Sequence, residues 1–233
     1  GFIQCLHDTY NKKNLNVINI HGITLISDDK RVPYWNNQIL SNYKNTICYC
    51  SDKTGDIYNI KNANEYINSH KEKCFLVTSD GGFDYSDDYN NQELSSIKLL
   101  FCEVYIALNV QDINGNFIIK MFDLLNIKTI QLLYILYLHY ESIYFYKPDT
   151  SRLSNSEKYI ICKGFRGLNN CINELLIKNY ETNDIDIYVP ESFINNIDDY
   201  NNKFVKNQIK NINEVLEIVN KNNHIRNRPN EKQ

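Results

Sequence analysis

The sequence predicts an α/β fold, a mostly parallel sheet with helices on both faces and a final antiparallel strand. Three observations carry this reading. Apolar runs of strand length alternate with longer stretches of helical periodicity, the pattern of crossover units in a parallel sheet. Residues 74–78 (CFLVT) are continuously apolar, as a strand buried on both faces would be. About a dozen residues, without a helical stretch, link the strand ending at Tyr146 to the one starting near Lys158. That link predicts a hairpin, and so an antiparallel last strand.

Taken in order, residues 15–20 (LNVINI) form a strand candidate that stops at His21-Gly22, and a short strand follows near 47–50. Residues 62–70 are polar with helical spacing, and the strand 74–78 ends at Ser79-Asp80-Gly81-Gly82. Between 93 and 110 the apolar positions Leu94, Ile97, Leu100, Phe101, Val104 and Leu108 make a helical stripe. Asn114-Gly115 is a turn signal before the strand 116–122 (NFIIKMF). An apolar helix is predicted over 127–140, then strands over 142–146 (SIYFY) and 158–165 (KYIICKGF). Beyond Asn170 a polar helical region carries Leu175, Leu176, Val189-Pro190 and Phe193, and a last helix spans roughly 201–219. The organisation expected is a main domain over 1–170, a helical extension packed on it over 171–219, and a disordered tail over 220–233, rich in Asn, Lys and Arg.

Composition excludes several classes. The 233 residues suffice for one large domain, and the 42% hydrophobic and 23% charged fractions are those of a soluble globular chain. A net charge of −3 gives no overall basic signature for nucleic acid, although a local basic groove can sit in an acidic protein. The seven cysteines are scattered without a CxxC pair, which reads as reduced thiols rather than a disulfide framework or zinc site. No secretory signal is expected, and the most apolar run, 130–138, is too short to span a membrane.

Ligands of open α/β sheets bind beyond the carboxyl ends of the strands. That rule selects Asp80 after CFLVT, Lys120 near the end of FIIK, Asp56 in Thr54-Gly55-Asp56-Ile57, and Glu157 at the start of the last strand. A strand-end Asp is also a common turn or capping residue. Lys120 is harder to explain structurally, because a lysine inside an apolar strand must be paired or perturbed if buried. The segment 147–157 (KPDTSRLSNSE) is dense in hydroxyls and amides around Arg152. It reads as a solvated loop or as a grip on phosphate and ribose. The loop Gly81-Gly82-Phe83-Asp84-Tyr85-Ser86 places aromatics where a base could stack.

SDGGFDYS, FIIKMFDL, KPDTSRLSNSEKYIICKGF and the earlier HGITL resemble, in order and separation, the FtsJ-like cap-specific mRNA 2′-O-methyltransferases, with DIYVPESF extending the likeness. The resemblance implies a Rossmann-like methyltransferase sheet that ends on an antiparallel strand. It also implies S-adenosylmethionine as methyl donor, capped mRNA as partner, and methylation of the first transcribed nucleotide. Of the family's Lys-Asp-Lys-Glu tetrad, Asp maps to Asp80, the second Lys to Lys120, 40 residues on, and Glu to Glu157. Lys120 is then the general base, and Asp80 and Glu157 orient it.

Cofactor contacts fall on Gly1, Phe2, Asp56, Ile57 and Asp80, and RNA contacts on Phe83, Ser151, Arg152, Asn155 and Ser156; no metal is required. The chain opens at Gly1-Phe2, the end of the family's glycine-rich loop, so the first strand and first tetrad Lys are expected to be missing. The sheet would then expose unpaired edges, and the isolated polypeptide would be unstable or inactive. The resemblance places the protein in the nucleus or cytoplasm (the cytoplasm for a large DNA virus), not outside the cell. Two alternatives stay open: a ribosomal- or transfer-RNA 2′-O-methyltransferase, and a non-catalytic RNA-binding module derived from one.

Overall fold

The computed structural model describes residues 1–15, 19–29, 32, 35, 45–83, 91–152 and 154–226. The elements run α1 (Phe2–Lys12), β1 (Ile20–Ile23), β2 (Asn45–Cys48), α2 (Ile60–Ser69), β3 (Cys74–Ser79), α3 (Gln92–Val110), β4 (Gln111–Met121), α4 (Ile127–His139), β5 (Tyr140–Tyr146), β6 (Lys158–Phe165), α5 (Asn170–Lys178) and α6 (Glu191–Arg226). β1 and β2 pair in parallel as one small sheet. The larger sheet has the order β3-β4-β6-β5. β3 and β4 are parallel, while β6 runs antiparallel to both β4 and β5, inserted between them. The short link after Tyr146 thus makes the antiparallel hairpin that its length predicts.

Alternation on β4 sets the two faces of the sheet. Phe117, Ile119 and Met121 are fully buried, while Ile118 and Lys120 lie on the less buried face. The buried row meets α3 and α4, whose residues Phe101, Val104, Leu108, Leu132, Leu133, Ile135 and Leu136 complete the core. Each such large side chain contributes about 1.5–3 kcal/mol of burial free energy. Helix starts follow local chemistry: the Asn59, Asn126 and Asn169 side chains accept from the backbone N–H groups of Lys61, Lys128 and Cys171. Buried Glu93 also accepts from Leu125 N–H and Asn126 N–H, anchoring the loop that leads from β4 into α4.

Several expectations need correction. β1 occupies Ile20–Ile23, so His21-Gly22 lies inside the strand rather than ending it. Gly22 is tolerated there because a Cβ would lie 2.4 Å from the Trp35 ring, a close approach that only glycine permits. Residues 16–18 of the proposed first strand lie outside the described residues. β3 is not buried on both faces: Phe75 is 64% and Leu76 40% exposed. Its partner is β4 on one edge, and among the described residues no strand pairs with the other.

The Asn114-Gly115 turn sits inside β4 rather than before it, where the pairing with β3 jumps from Gln111 opposite Cys74 to Asn116 opposite Leu76. The buried Gln111 amide fills that irregularity, donating to Cys74, Phe75 and Asn116 carbonyls and accepting from Tyr140. α6 begins at Glu191, ten residues before the expected start, because Pro190 presets the first turn and its carbonyl accepts from Phe193 and Ile194 N–H groups. The same helix continues to Arg226, past the predicted start of the tail.

α5 and α6 are tied to the rest of the protein by specific contacts. Tyr180 donates to the Ile57 carbonyl at 2.6 Å. Phe193 packs on Tyr134 and Tyr137, and Tyr200 stacks on Phe145 at 4.3 Å. Asn201 donates to the Leu124 carbonyl, and Gln208 to that of Ser154.

Candidate active site

Asp80 directly follows β3, and Lys120 is the penultimate residue of β4, so parallel pairing brings the two strand ends together. Lys120 Nζ lies 3.1 Å from Asp80 Oδ1 and donates to the Asp80 carbonyl at 3.0 Å. The carboxylate side of the pair is half exposed, at 50%, and the lysine side chain 14% exposed, so the pair opens to solvent from one side. Tyr159 lies opposite Lys120 in the β4–β6 register. Its hydroxyl donates to the same Asp80 oxygen at 2.9 Å. Burial and the Asp80 carboxylate push the Tyr159 phenol up, keeping it protonated as a donor.

Two glycines let the loop after Asp80 pass between α3 and β4. A Cβ on Gly81 would lie 2.5 Å from Glu103 Oε1 and 2.9 Å from Leu99; one on Gly82 would lie 3.1 Å from Lys120 Nζ. Gly81 N–H donates to Glu103 Oε1 at 3.1 Å. Phe83, next in the loop, is 45% exposed; Asp84, Tyr85 and Ser86 lie outside the described residues. From the other end of the chain, the Phe2 ring at the start of α1 meets the Tyr159 ring edge-on at 6.0 Å. Phe2 therefore adjoins the Asp80 cluster, while Gly1, the N-cap of α1, has open space where a Cβ would point.

Glu157 stands one residue before β6 and shares the sequence parity of Tyr159. Ser151 Oγ donates to its Oε1 at 3.4 Å, and Lys147 Nζ donates to its carbonyl at 2.7 Å. Lys147 also binds Asn155 through its carbonyl and its side-chain oxygen, and Ser156 is buried. Asn155 and Ser156 are thus built into the loop, whereas Arg152 is exposed. Burial holds the Lys147 ammonium below its ordinary range, with Glu157 pulling it back up.

Asp56 and Ile57 form a separate cluster. Gly55 has φ +60°, and a Cβ there would lie 1.9 Å from the Thr24 carbonyl oxygen, so glycine is required where this turn rests on the end of β1. Asn62 Nδ2 ties the turn together through Asp52, Thr54 and the Asp56 carbonyl. Asp56 Oδ1 accepts from Tyr58 N–H at 2.8 Å. One such bond fixes a carboxylate without exhausting its roughly four lone-pair sites, leaving capacity for an amino group. Among the described residues no group of His, Cys, Asp and Glu could hold a metal ion, and no helix is long and apolar enough to cross a membrane.

Sequence reasoning singled out Asp80 and Lys120 but missed Tyr159, Glu103 and Lys158. The β4–β6 register that brings Tyr159 to Asp80 is non-local and has no sequence signature. The FtsJ-like methyltransferase family profile matches residues 1–165. Among curated relatives, a mouse protein, cap-specific mRNA (nucleoside-2′-O-)-methyltransferase 1, is 32% identical over 168 residues, 66% of this chain and 20% of the relative. The cattle protein of the same name is 37% identical over 153 residues, 60% of this chain and 18% of the relative. The chain therefore spans about a fifth of the length of these relatives. A solved ribosomal RNA methyltransferase from Plasmodium falciparum is 20% identical with a TM-score of 0.43, covering 71% of this chain and 97% of its own. That likeness is too slight to carry weight.

Proposed function

The chain belongs to the FtsJ-like methyltransferase family, and from that membership we propose that it serves methyl transfer from S-adenosylmethionine to the ribose 2′-OH of the first transcribed nucleotide of capped mRNA. The observation that carries the reading is the Lys120–Asp80–Tyr159 cluster at the strand ends, with an amine held at 3.1 Å from a carboxylate on the less buried face of the sheet. The names of the mouse and cattle relatives support the cap-specific form of the reaction.

Lys120 Nζ, in its neutral amine form, accepts the proton of the 2′-OH. Asp80, fixed by Tyr159, aims that nitrogen, and Glu157 helps to orient it from the start of β6. General-base help of this kind is worth about 10²–10⁴-fold. Orientation of the hydroxyl supplies a larger part, roughly 7–11 kcal/mol when geometry is ideal. When bound, S-adenosylmethionine supplies a methyl group already activated by a positively charged sulfur. Gly1, Phe2 and Asp80 would hold it at the Lys120 end. Asp56 would accept from the adenine amino group, and the Ile57 N–H would face the ring.

Phe83 offers an exposed ring for a base, and Arg152 with Ser151 meets phosphate. Asn155 and Ser156 shape that loop from within, by holding Lys147 and by burial. Residues 1–170 form the catalytic part and 171–219 an extension that braces it.

Competition between matched capped and uncapped short RNAs, with the full-length protein and labelled S-adenosylmethionine, tests the substrate. Methylation confined to capped RNA is expected. Equal methylation of both would move the protein to the structural-RNA enzymes, and RNA binding without transfer would leave a non-catalytic module.

A further inference from the structure

Glu103 takes no part in the chemistry above, yet its carboxyl reaches the loop that carries Asp80. It lies in the buried part of α3, 8% exposed, among Phe101, Cys102, Val104 and Tyr105. An acidic side chain in such a place costs free energy unless it has a specific partner. Its partner is the Gly81 N–H, adjacent in sequence to Asp80. The packing is close on both sides of the loop: Gly81 faces Glu103 and Leu99, and Gly82 faces Lys120. The position of Asp80 is therefore set from behind by α3 as well as from the front by Lys120 and Tyr159.

We propose that Glu103 is a positioning residue for methyl transfer, gripping the Gly81 N–H so that the Asp80 carboxylate stands where it can aim Lys120. This rests on the reading of the reaction given above. Burial pushes the Glu103 carboxyl up to about 8; the Gly81 N–H and Lys120 pull it back, and Asp80 adds to the rise. Near neutral pH the group is thus mainly an uncharged acceptor, which glutamine reproduces. Among the described residues, the charged groups acting on it are those of the site itself, Lys120 from β4 and Asp80 after β3.

The test uses the full-length protein with E103Q and E103L. The expected result is a fall in kcat of about 100-fold for E103L, the scale of an ångström-level misplacement, with KM for RNA within about threefold of wild type. E103Q should recover kcat to within about threefold, because its amide oxygen accepts the same bond. Hydrogen exchange gives a second readout that needs no activity: protection of the Gly81 amide should be lost in E103L and kept in E103Q.

If E103L does not fold, E103A replaces it, a smaller truncation that removes the same acceptor with a similar loss of kcat. E103L or E103A with wild-type kcat overturns the proposal, as does an equal loss of kcat in E103Q. Wild-type protein that transfers no methyl group overturns the reading of the reaction; Gly81 protection, lost or kept in E103L, then decides the grip on its own.

Discussion

Lys120 and Lys158 stand on adjacent strands, one register step apart: Lys120 pairs with Tyr159, and Lys158 with Met121. A single step in a sheet turns a side chain to the opposite face. Lys120 emerges on the less buried face beside a half-exposed carboxylate. Lys158 points into the protein, 1% exposed, where its ammonium donates to the Phe122 carbonyl and lies 4.5 Å from the centre of the Phe204 ring. Lys147 lies 5.9 Å from the same ring. One lysine thus opens toward solvent beside Asp80, and the other helps fasten α6 over the start of β6. Burial pushes Lys158 down to about 8, Lys147 pushes it further, and Asp123 and Glu93 pull it back. The contrast teaches that a lysine in an apolar strand is not by itself a catalytic signal; the face it occupies decides.

The sharpest way to break this comparison is to remove each amine in turn. K120A should lower the single-turnover methyl-transfer rate by about 10²–10⁴-fold while leaving cofactor affinity within about threefold. K158M, which keeps an unbranched stem, should change that rate by less than about fivefold. Equal losses in both variants would erase the distinction.

A second prediction concerns stability. With a folded value near 8 and an unfolded value near 10.5, Lys158 binds fewer protons folded than unfolded between those limits. Its contribution therefore rises with pH across that window, is fully present above it, and is lost as pH falls through about 8. Urea unfolding of wild type and K158M at pH 7.5 and 10 should show wild type gaining on K158M at the higher pH. A constant difference would contradict the burial of the ammonium.

Smaller effects sharpen the picture. Y159F removes one hydrogen bond to Asp80, and about 1 kcal/mol predicts a roughly fivefold loss of rate. F204A should destabilise the protein by about 1–2 kcal/mol through loss of packing and of the cation–ring contacts, with little effect on the chemical step. Thermal unfolding beside a rate measurement separates the two.

Much of this was legible in the sequence because it is local. α3 and α4 carry long apolar stretches, the link after Tyr146 is too short for a crossover, and Asp80 and Lys120 sit where strands end. What was not legible depends on pairing between distant segments. Tyr159 reaches Asp80 only through the β4–β6 register. Glu103 is hidden in a helix buried on nearly every side, whereas the apolar periodicity marks a single stripe whose first member, Leu94, is exposed. CFLVT looked like a central strand, but among the described residues β3 has a partner on one edge alone, so Phe75 is left exposed. Lys158 passed unnoticed because parity relative to β4 cannot be counted from its own strand.

Locating the transferred methyl group decides whether the Asp80–Lys120 pair serves transfer to a ribose hydroxyl. Capped RNA would be incubated with labelled S-adenosylmethionine and either the full-length protein or K120A, then digested to nucleotides and analysed by mass. Label is expected on the 2′-oxygen of the first transcribed nucleotide with wild type, and almost none with K120A. Label on a base, or on the same ribose at wild-type rate in K120A, would contradict it.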